Sequence, residues 1–248
     1  MKTNALKWTN TALFVTMVAV NALANVLPIG GNTTGEVSAA FPNLFTPAAI
    51  TFSIWGIIYL LMAFFTIYQM GSTAVRNKIG IWFAISCLLN IIWLFLWHNR
   101  KTGLSLLCIA ALLLSLVIIS WKLRTPGTEY RFHRLIQAGF DMYLGWIIIA
   151  TIANISVWLV SVGLSGFGLL FMLWTIIMLL AGAAIANLLV SRGHKWFSAL
   201  AIIWAYIGIL IRQISDNGYD CQYISIILAA CAGIIIILWG LISEICRK

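Results

Sequence analysis

The chain has 248 residues, of which 62% are hydrophobic and only 8% are charged. Soluble domains carry about 25% charged residues, so this composition excludes a soluble globular enzyme, a disordered chain and a disulfide-rich secreted domain. The net charge of +9 would point to nucleic acid in a soluble protein. Here the hydrophobic majority makes the lipid bilayer the expected partner, and no nucleic acid is expected. We predict an all-α polytopic integral membrane protein.

Long apolar segments follow one another along the whole chain. A bilayer core about 30 Å thick is crossed by ~20 apolar helical residues. Eight such segments are separated by short connections, so the sequence predicts about eight transmembrane helices. Their predicted ranges are 11–27, 48–70, 79–98, 103–121, 136–160, 167–190, 196–211 and 223–242.

The basic residues predict the orientation, because cytoplasmic loops collect Lys and Arg. If the N-terminus is cytoplasmic, all 15 Lys and Arg except Arg100, Lys101 and Arg212 fall on that side. Both termini are then expected in the cytoplasm. The short loops and the lack of a transit peptide favour a bacterial plasma membrane.

The N-terminus has a competing interpretation. Two lysines, an apolar stretch and then Ala22, Leu23 and Ala24 resemble a cleavable secretory signal. Asn21 and Asn25, one helical turn apart, are unusual in a disposable segment and useful on a packed helix face. We therefore expect the first helix to be retained.

Charged residues are scarce within the predicted spans. Asp141 is either a carboxylate that handles a proton or substrate, or an interfacial acid paired with Arg134 or Arg131, and we favour the pair. Arg212 with Asp216 and Asp220 is expected to form a salt-bridged cap. The five cysteines lack metal-binding spacing, and no general acid, base or metal ligand set supports an enzyme.

Aromatic and amide side chains recur at helical spacing inside the spans. There are 12 Trp residues, and three stripes stand out: two have spacings of three and four residues and share one helix face each, and the third recurs at multiples of four around a broader face. Two interpretations stay open at this point: ordinary helix packing, or a pocket lined by aromatic rings for a flat hydrophobic ligand. The stripes are Phe52, Trp55 and Tyr59; Asn90, Trp93 and Trp97; and Trp146, Asn154 and Trp158.

The same stripes carry a resemblance to a known family. Residues 47–62 read PAAITFSIWGIIYLLM, residues 89–93 read LNIIW, and Trp146, Ala150, Thr151, Asn154 and Trp158 match a fifth-helix motif at the same intervals. With the short basic loop at residues 100–103, they resemble the TspO/MBR family of tryptophan-rich sensory and translocator proteins. The resemblance covers residues 8–160. It departs from the family pattern at residues 48–50, at residues 141–143 where a proline is usual, and in three additional helices.

The resemblance implies a five-helix bundle at residues 1–162, and the remaining apolar segments predict a three-helix extension of unknown role at residues 163–248. It also implies a pocket that binds porphyrins or other tetrapyrroles and sterols as ligands, with no cofactor required, and a first loop at residues 28–46 that covers the pocket. The expected ligand-binding residues are Trp55, Tyr59, Asn90, Trp93, Trp146 and Trp158, with Phe52, Trp97 and Asn154 as second choices.

Three functions follow as hypotheses. The leading hypothesis is a membrane receptor or sensor that binds a flat hydrophobic molecule in the first five helices. The alternatives are a transporter of a hydrophobic solute, and a regulatory subunit that docks a partner protein through its last three helices. A homodimer is also possible under the resemblance.

Overall fold

The computed structural model describes residues 3–26, 31–125 and 131–247, without the side chains of residues 3 and 25. Within these ranges every regular element is helical. The helices are α1 (Thr3–Val26), α2 (Thr34–Ala39), a 3-10 helix (Ala49–Ser53), α3 (Ile54–Gly71), α4 (Thr73–His98), α5 (Thr102–Arg124), α6 (His133–Ser161), α7 (Leu169–Gly193), α8 (Trp196–Ile214) and α9 (Ile224–Cys246).

Seven of the described helices are long and apolar enough to cross a membrane: the 3-10 helix continued by α3, and each of α4 to α9. This confirms an all-α polytopic membrane protein. The first of the eight predicted spans corresponds to α1. This helix is not among the seven, although its 24 residues extend about 36 Å. Residue 27, where that predicted span ends, lies outside the described residues. The cytoplasmic placement of the termini stays a prediction.

The first five long helices form a closed bundle. Contacts connect them in the cyclic order α1, α4, α5, α6, α3 and back to α1. At its centre the rings of Phe65, Phe83 and Phe140 meet edge to face, with centroids 4.7 to 6.0 Å apart. All three are fully buried, and each comes from a different helix, so aromatic packing ties α3, α4 and α6 together.

The last three helices pack against the outside of this bundle through α8, which lies along α6, while α9 contacts both α7 and α8. Gly145 allows the close approach, because a Cβ atom at that position would overlap the backbone of Ser198. The Ser198 hydroxyl in turn donates a hydrogen bond to the backbone carbonyl of Asp141 at 2.6 Å. The predicted boundary after residue 162 falls between α6 and α7, and the division into two domains stays a prediction.

The ion pair of Asp141 differs from the predicted one. Its carboxylate accepts hydrogen bonds from Arg124 at 2.5 and 3.1 Å, not from Arg134 or Arg131. Arg124 ends α5, which runs antiparallel to α6 and brings the guanidinium beside Asp141. Arg131 instead lies over the ring of Phe132, 4.8 Å from its centroid.

The predicted salt-bridged cap at the end of α8 is also wrong. Arg212 forms no salt bridge with Asp216 or Asp220, all of which lie in the described part of the chain. The turn after α8 folds back, so that the Tyr219 N–H donates to the Arg212 carbonyl at 3.0 Å. The guanidinium therefore lies over the Tyr219 ring, 5.4 Å from its centroid.

Candidate functional site

Aromatic rings from the 3-10 helix, α3 and α6 meet inside the bundle. Trp55 stacks on Tyr59, one turn later in α3, with centroids 5.3 Å apart. Trp146 of α6 meets both Phe52 and Trp55 edge to face, at 5.9 and 6.3 Å. Spacing of three and four residues places the rings of α3 on one face, and that face points at α6.

Two tryptophans of α4 complete an aromatic enclosure, and the hydrogen bonds of their indole N–H groups hold them there. Trp93 stacks on Trp97 with centroids 5.8 Å apart. The Trp93 N–H donates to Asn154 Oδ1 at 3.2 Å, and the Trp97 N–H donates to the backbone carbonyl of Thr34 at 3.1 Å. We name the enclosure formed by Phe52, Trp55, Trp93, Trp97 and Trp146 the aromatic box.

Two adjoining cavities lie at these rings. The cavity inside the aromatic box is small, about 30 Å³, and is also lined by Thr34, Ser38 and Asn154. A larger cavity of about 370 Å³ lies between α1 and α3, and we name it the α1–α3 cleft. The two share Thr34, Phe52 and Trp55, so these side chains form the wall between them. The cleft is lined by Val18, Asn21, Ala22, Thr34, Phe52, Ser53, Trp55 and Tyr59.

The described residues that line the box and the cleft are uncharged, and two of their polar groups lack a hydrogen-bond partner. These are the hydroxyl of Tyr59 and the indole N–H of Trp146, both buried. Leaving such a donor unpaired in an apolar interior costs roughly 1–3 kcal/mol. Both atoms are covered by neighbouring side chains, so a ligand acceptor gains these hydrogen bonds only when those side chains move.

Asn90 lies behind the aromatic box and does not line either cavity. Its side chain is fully buried, accepts a hydrogen bond from Asn21 at 2.8 Å and donates one to the Tyr143 hydroxyl at 3.1 Å. The Tyr143 ring meets Trp55 edge to face at 5.6 Å. Asn90 thus links α1, α4 and α6 and supports the box from outside.

The segment after α1 covers the site, as the resemblance implied for residues 28–46, of which residues 28–30 lie outside the described ranges. Its short helix α2 begins with a capping box, in which the Thr33 hydroxyl and the Glu36 carboxylate each accept a backbone N–H of the other residue. The bond from the Thr33 backbone lowers the pKa of the exposed Glu36 carboxyl. Two residues of α2, Thr34 and Ser38, line the aromatic box.

The extension holds the covering segment and the 3-10 helix in place. Gln213 Nε2 donates to the Leu44 carbonyl at 2.9 Å, and the Tyr219 hydroxyl donates to the Asn43 carbonyl at 2.9 Å. Further along, the Ala48 N–H donates to the carbonyl of Gly208 at 2.9 Å. At Gly208 a Cβ atom would overlap the Thr51 side chain, so glycine permits this close approach.

The structure brings together seven of the nine predicted site residues. Asn90 is a buried support, and Trp158 lies on the outer part of α6 with 37% of its surface exposed, beside Gly103. The part that the seven play in ligand binding stays a prediction. They are Phe52, Trp55, Tyr59, Trp93, Trp97, Trp146 and Asn154.

Several lining residues were not predicted. Thr34 lies within, and Ser38 just after, a Thr-x-x-Glu signature at residues 33–36, which is typical of a helix start and would have located α2. Ala150 and Ala153 are small residues of α6 that leave room beside the rings, and nothing in their spacing singles them out.

Comparison with known proteins adds one finding. The model of a family described as TSPO-like protein matches residues 7–241, which confirms the resemblance and runs through all the long helices, including those of the extension. No curated protein and no solved structure matches the chain significantly.

Proposed function

The chain belongs to the family of TSPO-like proteins, and on that basis we propose that it is a membrane receptor or sensor for a flat hydrophobic molecule. A porphyrin or another tetrapyrrole is the first candidate ligand, and a sterol-like molecule is the second. The proposed location is the plasma membrane of a bacterium.

The observation that carries this proposal is the α1–α3 cleft against the aromatic box. Its volume of about 370 Å³ lies within the range of ~300–1,000 Å³ that is typical of ligand pockets. The cavity inside the aromatic box, at about 30 Å³, lies far below that range. We therefore assign the body of the ligand to the cleft, where it contacts Phe52, Trp55 and Tyr59.

The chemistry of the lining favours a flat, mostly apolar ligand with acceptor atoms. The stacked rings of Trp55 and Tyr59 present extended apolar surface, which ring systems bury by stacking. The Tyr59 hydroxyl beside the cleft and the Trp146 N–H beside the box are unpaired donors, and a side-chain shift that uncovers them would let each donate to a ligand. Imine-type ring nitrogens, carbonyls and hydroxyls would all accept these hydrogen bonds.

Titration of the purified full-length protein with protoporphyrin IX tests the proposal. Affinity is read from the absorbance and fluorescence of the porphyrin, so that removing a tryptophan does not remove the reporter. Saturable binding is expected, and Trp55→Phe and Tyr59→Leu are expected to weaken it about two- to tenfold, the contribution of one aromatic contact.

The matched control is Trp158→Phe, which makes the same change on α6 outside both cavities and should leave the affinity within about twofold. A wild-type protein that does not bind saturably would overturn the proposal for porphyrins. Direct titration with a fluorescent sterol then tests the sterol-like class. Equal losses of porphyrin affinity in Trp55→Phe and Trp158→Phe would overturn the assignment of the ligand to the α1–α3 cleft.

A further inference from the structure

Another cavity, with a charged lining, lies where α5, α6 and the extension meet. It shares no lining residue with the aromatic box or the α1–α3 cleft. Its volume is about 320 Å³, and we name it the basic cavity. The end of α5, the start of α6 and the turn between α7 and α8 all contribute to it. It is lined by Arg124, Arg134, Gln137, Ala138, Asp141, His194, Trp196 and Phe197.

Positive charge exceeds negative charge at this cavity. Asp141 is neutralised by Arg124, whose Nε also donates to the Gly193 carbonyl at 2.7 Å. Arg134 is exposed and forms no salt bridge with any residue in the described ranges. The nearby Lys195 has a pKa lowered by burial and then by the charge of Arg124. Among the described residues, one guanidinium is therefore left for an anion from outside the protein.

The acidic side chain of the last helix pairs with His194 and not with Arg134. Glu244 of α9 is buried and lies 3.0 Å from His194 Nδ1, so its carboxylate is already engaged. The first turn of α8 also faces the cavity, and the amino end of a helix carries a partial positive charge.

The cavity has an apolar side next to its charged side. Trp196 and Phe197 begin α8, and 42% of the Phe197 surface is exposed. Tryptophan at the end of a span is typical of the membrane–water interface. Basic pockets between transmembrane helices at this depth are suited to anionic lipid headgroups.

We propose that the basic cavity binds a phosphate ester, with the phosphate at Arg134 and the apolar part of the ligand against Trp196 and Phe197. An anionic phospholipid supplies this chemistry from the bilayer, and a phosphorylated soluble molecule supplies it from the water. Because α6 and α8 both build the cavity, the extension is required for the site to exist.

Native mass spectrometry of the delipidated full-length protein tests this, with phosphatidylglycerol and phosphatidylcholine of identical acyl chains as probes. The wild type should bind one phosphatidylglycerol in preference to phosphatidylcholine. Arg134→Gln should weaken that binding at least tenfold, the contribution of a hydrogen bond to a charged group. Protoporphyrin binding should be unchanged in this variant, because Arg134 lies outside both ligand cavities.

The matched control is Arg131→Gln, which removes the same charge three residues earlier, outside the cavity. It should lose no more than about fivefold, the nonspecific attraction of one surface charge to an anionic lipid. Equal losses in the two variants, or no lipid preference in the wild type, would overturn the proposal. Competition by glycerol 3-phosphate would assign the site to soluble phosphate esters, and its failure would assign it to the lipid.

Discussion

The indole N–H of Trp204, in α8, donates a hydrogen bond to the backbone carbonyl of Thr51 at 2.9 Å, across 153 positions of the chain. Thr51 lies in the 3-10 helix, immediately before Phe52 of the aromatic box. The extension therefore fixes the point at which the pocket-lining face of α3 begins. The hypothesis that these helices dock a partner protein stays untested, and the contact gives them a role within this chain as well.

Trp204→Phe is predicted to weaken protoporphyrin binding while the helices remain assembled. The ring still fills its place, but the hydrogen bond to Thr51 is lost, at a cost of about 0.5–1.5 kcal/mol. Loosening the 3-10 helix should move Phe52 relative to Trp146. We expect an affinity about two- to tenfold lower in the same porphyrin titration.

The control for this variant is Trp174→Phe. Trp174 of α7 donates its indole N–H to the Ser156 hydroxyl at 3.0 Å, so the substitution also removes one hydrogen bond between the extension and α6. Because this bond lies away from the aromatic box, the substitution should leave the porphyrin affinity unchanged. Equal effects of the two variants would mean that the extension stabilises the bundle generally and does not position the pocket.

Esterified porphyrins are predicted to bind at least as tightly as protoporphyrin IX. The described residues that line the aromatic box and the α1–α3 cleft include no Lys, Arg or His. A propionate carboxylate buried there would lack a cationic partner, which is costly in an apolar site. Titration with protoporphyrin dimethyl ester checks this, and loss of binding would show that the carboxylates contact a cation elsewhere.

Helical periodicity predicted the faces of the aromatic box well, because residues three and four apart in a helix must share a side. It placed Phe52, Trp55 and Tyr59 on one face, and the resemblance assigned that face to a pocket. Trp158 was included on the same grounds, because it follows Asn154 by one turn, but it lies outside both cavities. Periodicity fixes the direction of a side chain around a helix, and it leaves open how far along the helix the cavity extends.

Contacts between distant segments could not be predicted from the sequence. The charge pattern placed Asp141 near a basic cluster but did not select Arg124, because that choice depends on how α5 and α6 are aligned. The bond from Trp204 to Thr51 likewise depends on α8 packing beside α6. Gly145 and Gly208 permit that packing. Nothing in the spacing of a glycine within an apolar segment indicates that another helix approaches closely there.

The buried amide network is predicted to stabilise the bundle. In Asn90→Ala the side chain of Asn21 and the hydroxyl of Tyr143 each lose a partner. Hydrogen bonds between transmembrane helices contribute about 0.6 kcal/mol on average and up to roughly 1.7 kcal/mol. We expect the free energy of unfolding in detergent, measured by thermal unfolding, to fall by an amount of that order for each bond lost. Tyr143→Phe should cost less in the Asn90→Ala background than alone, and additive losses would contradict the network.

The covering segment is predicted to loosen in acid through its capping box. The Glu36 carboxylate accepts the Thr33 N–H at 2.6 Å, which lowers its pKa in the folded protein below the ordinary value of 4.5. The stabilisation is thus fully present above about pH 4.5 and is lost as the pH falls through the folded pKa. Amide exchange of residues 34–39, expressed as protection relative to the unfolded chain, should therefore weaken at low pH.

Glu36→Gln provides the comparison for this prediction. An amide oxygen still accepts the Thr33 N–H, but it does not titrate, so protection of α2 in this variant should be independent of pH over the acid range. Because the propionates of protoporphyrin also titrate in this range, the two proteins are compared at each pH: they should bind it alike above pH 4.5, and the wild type should bind it more weakly than the variant below it. Protection of α2 that stays constant in the wild type would show that contacts such as the bond from Trp97 to Thr34 hold the segment without the capping box.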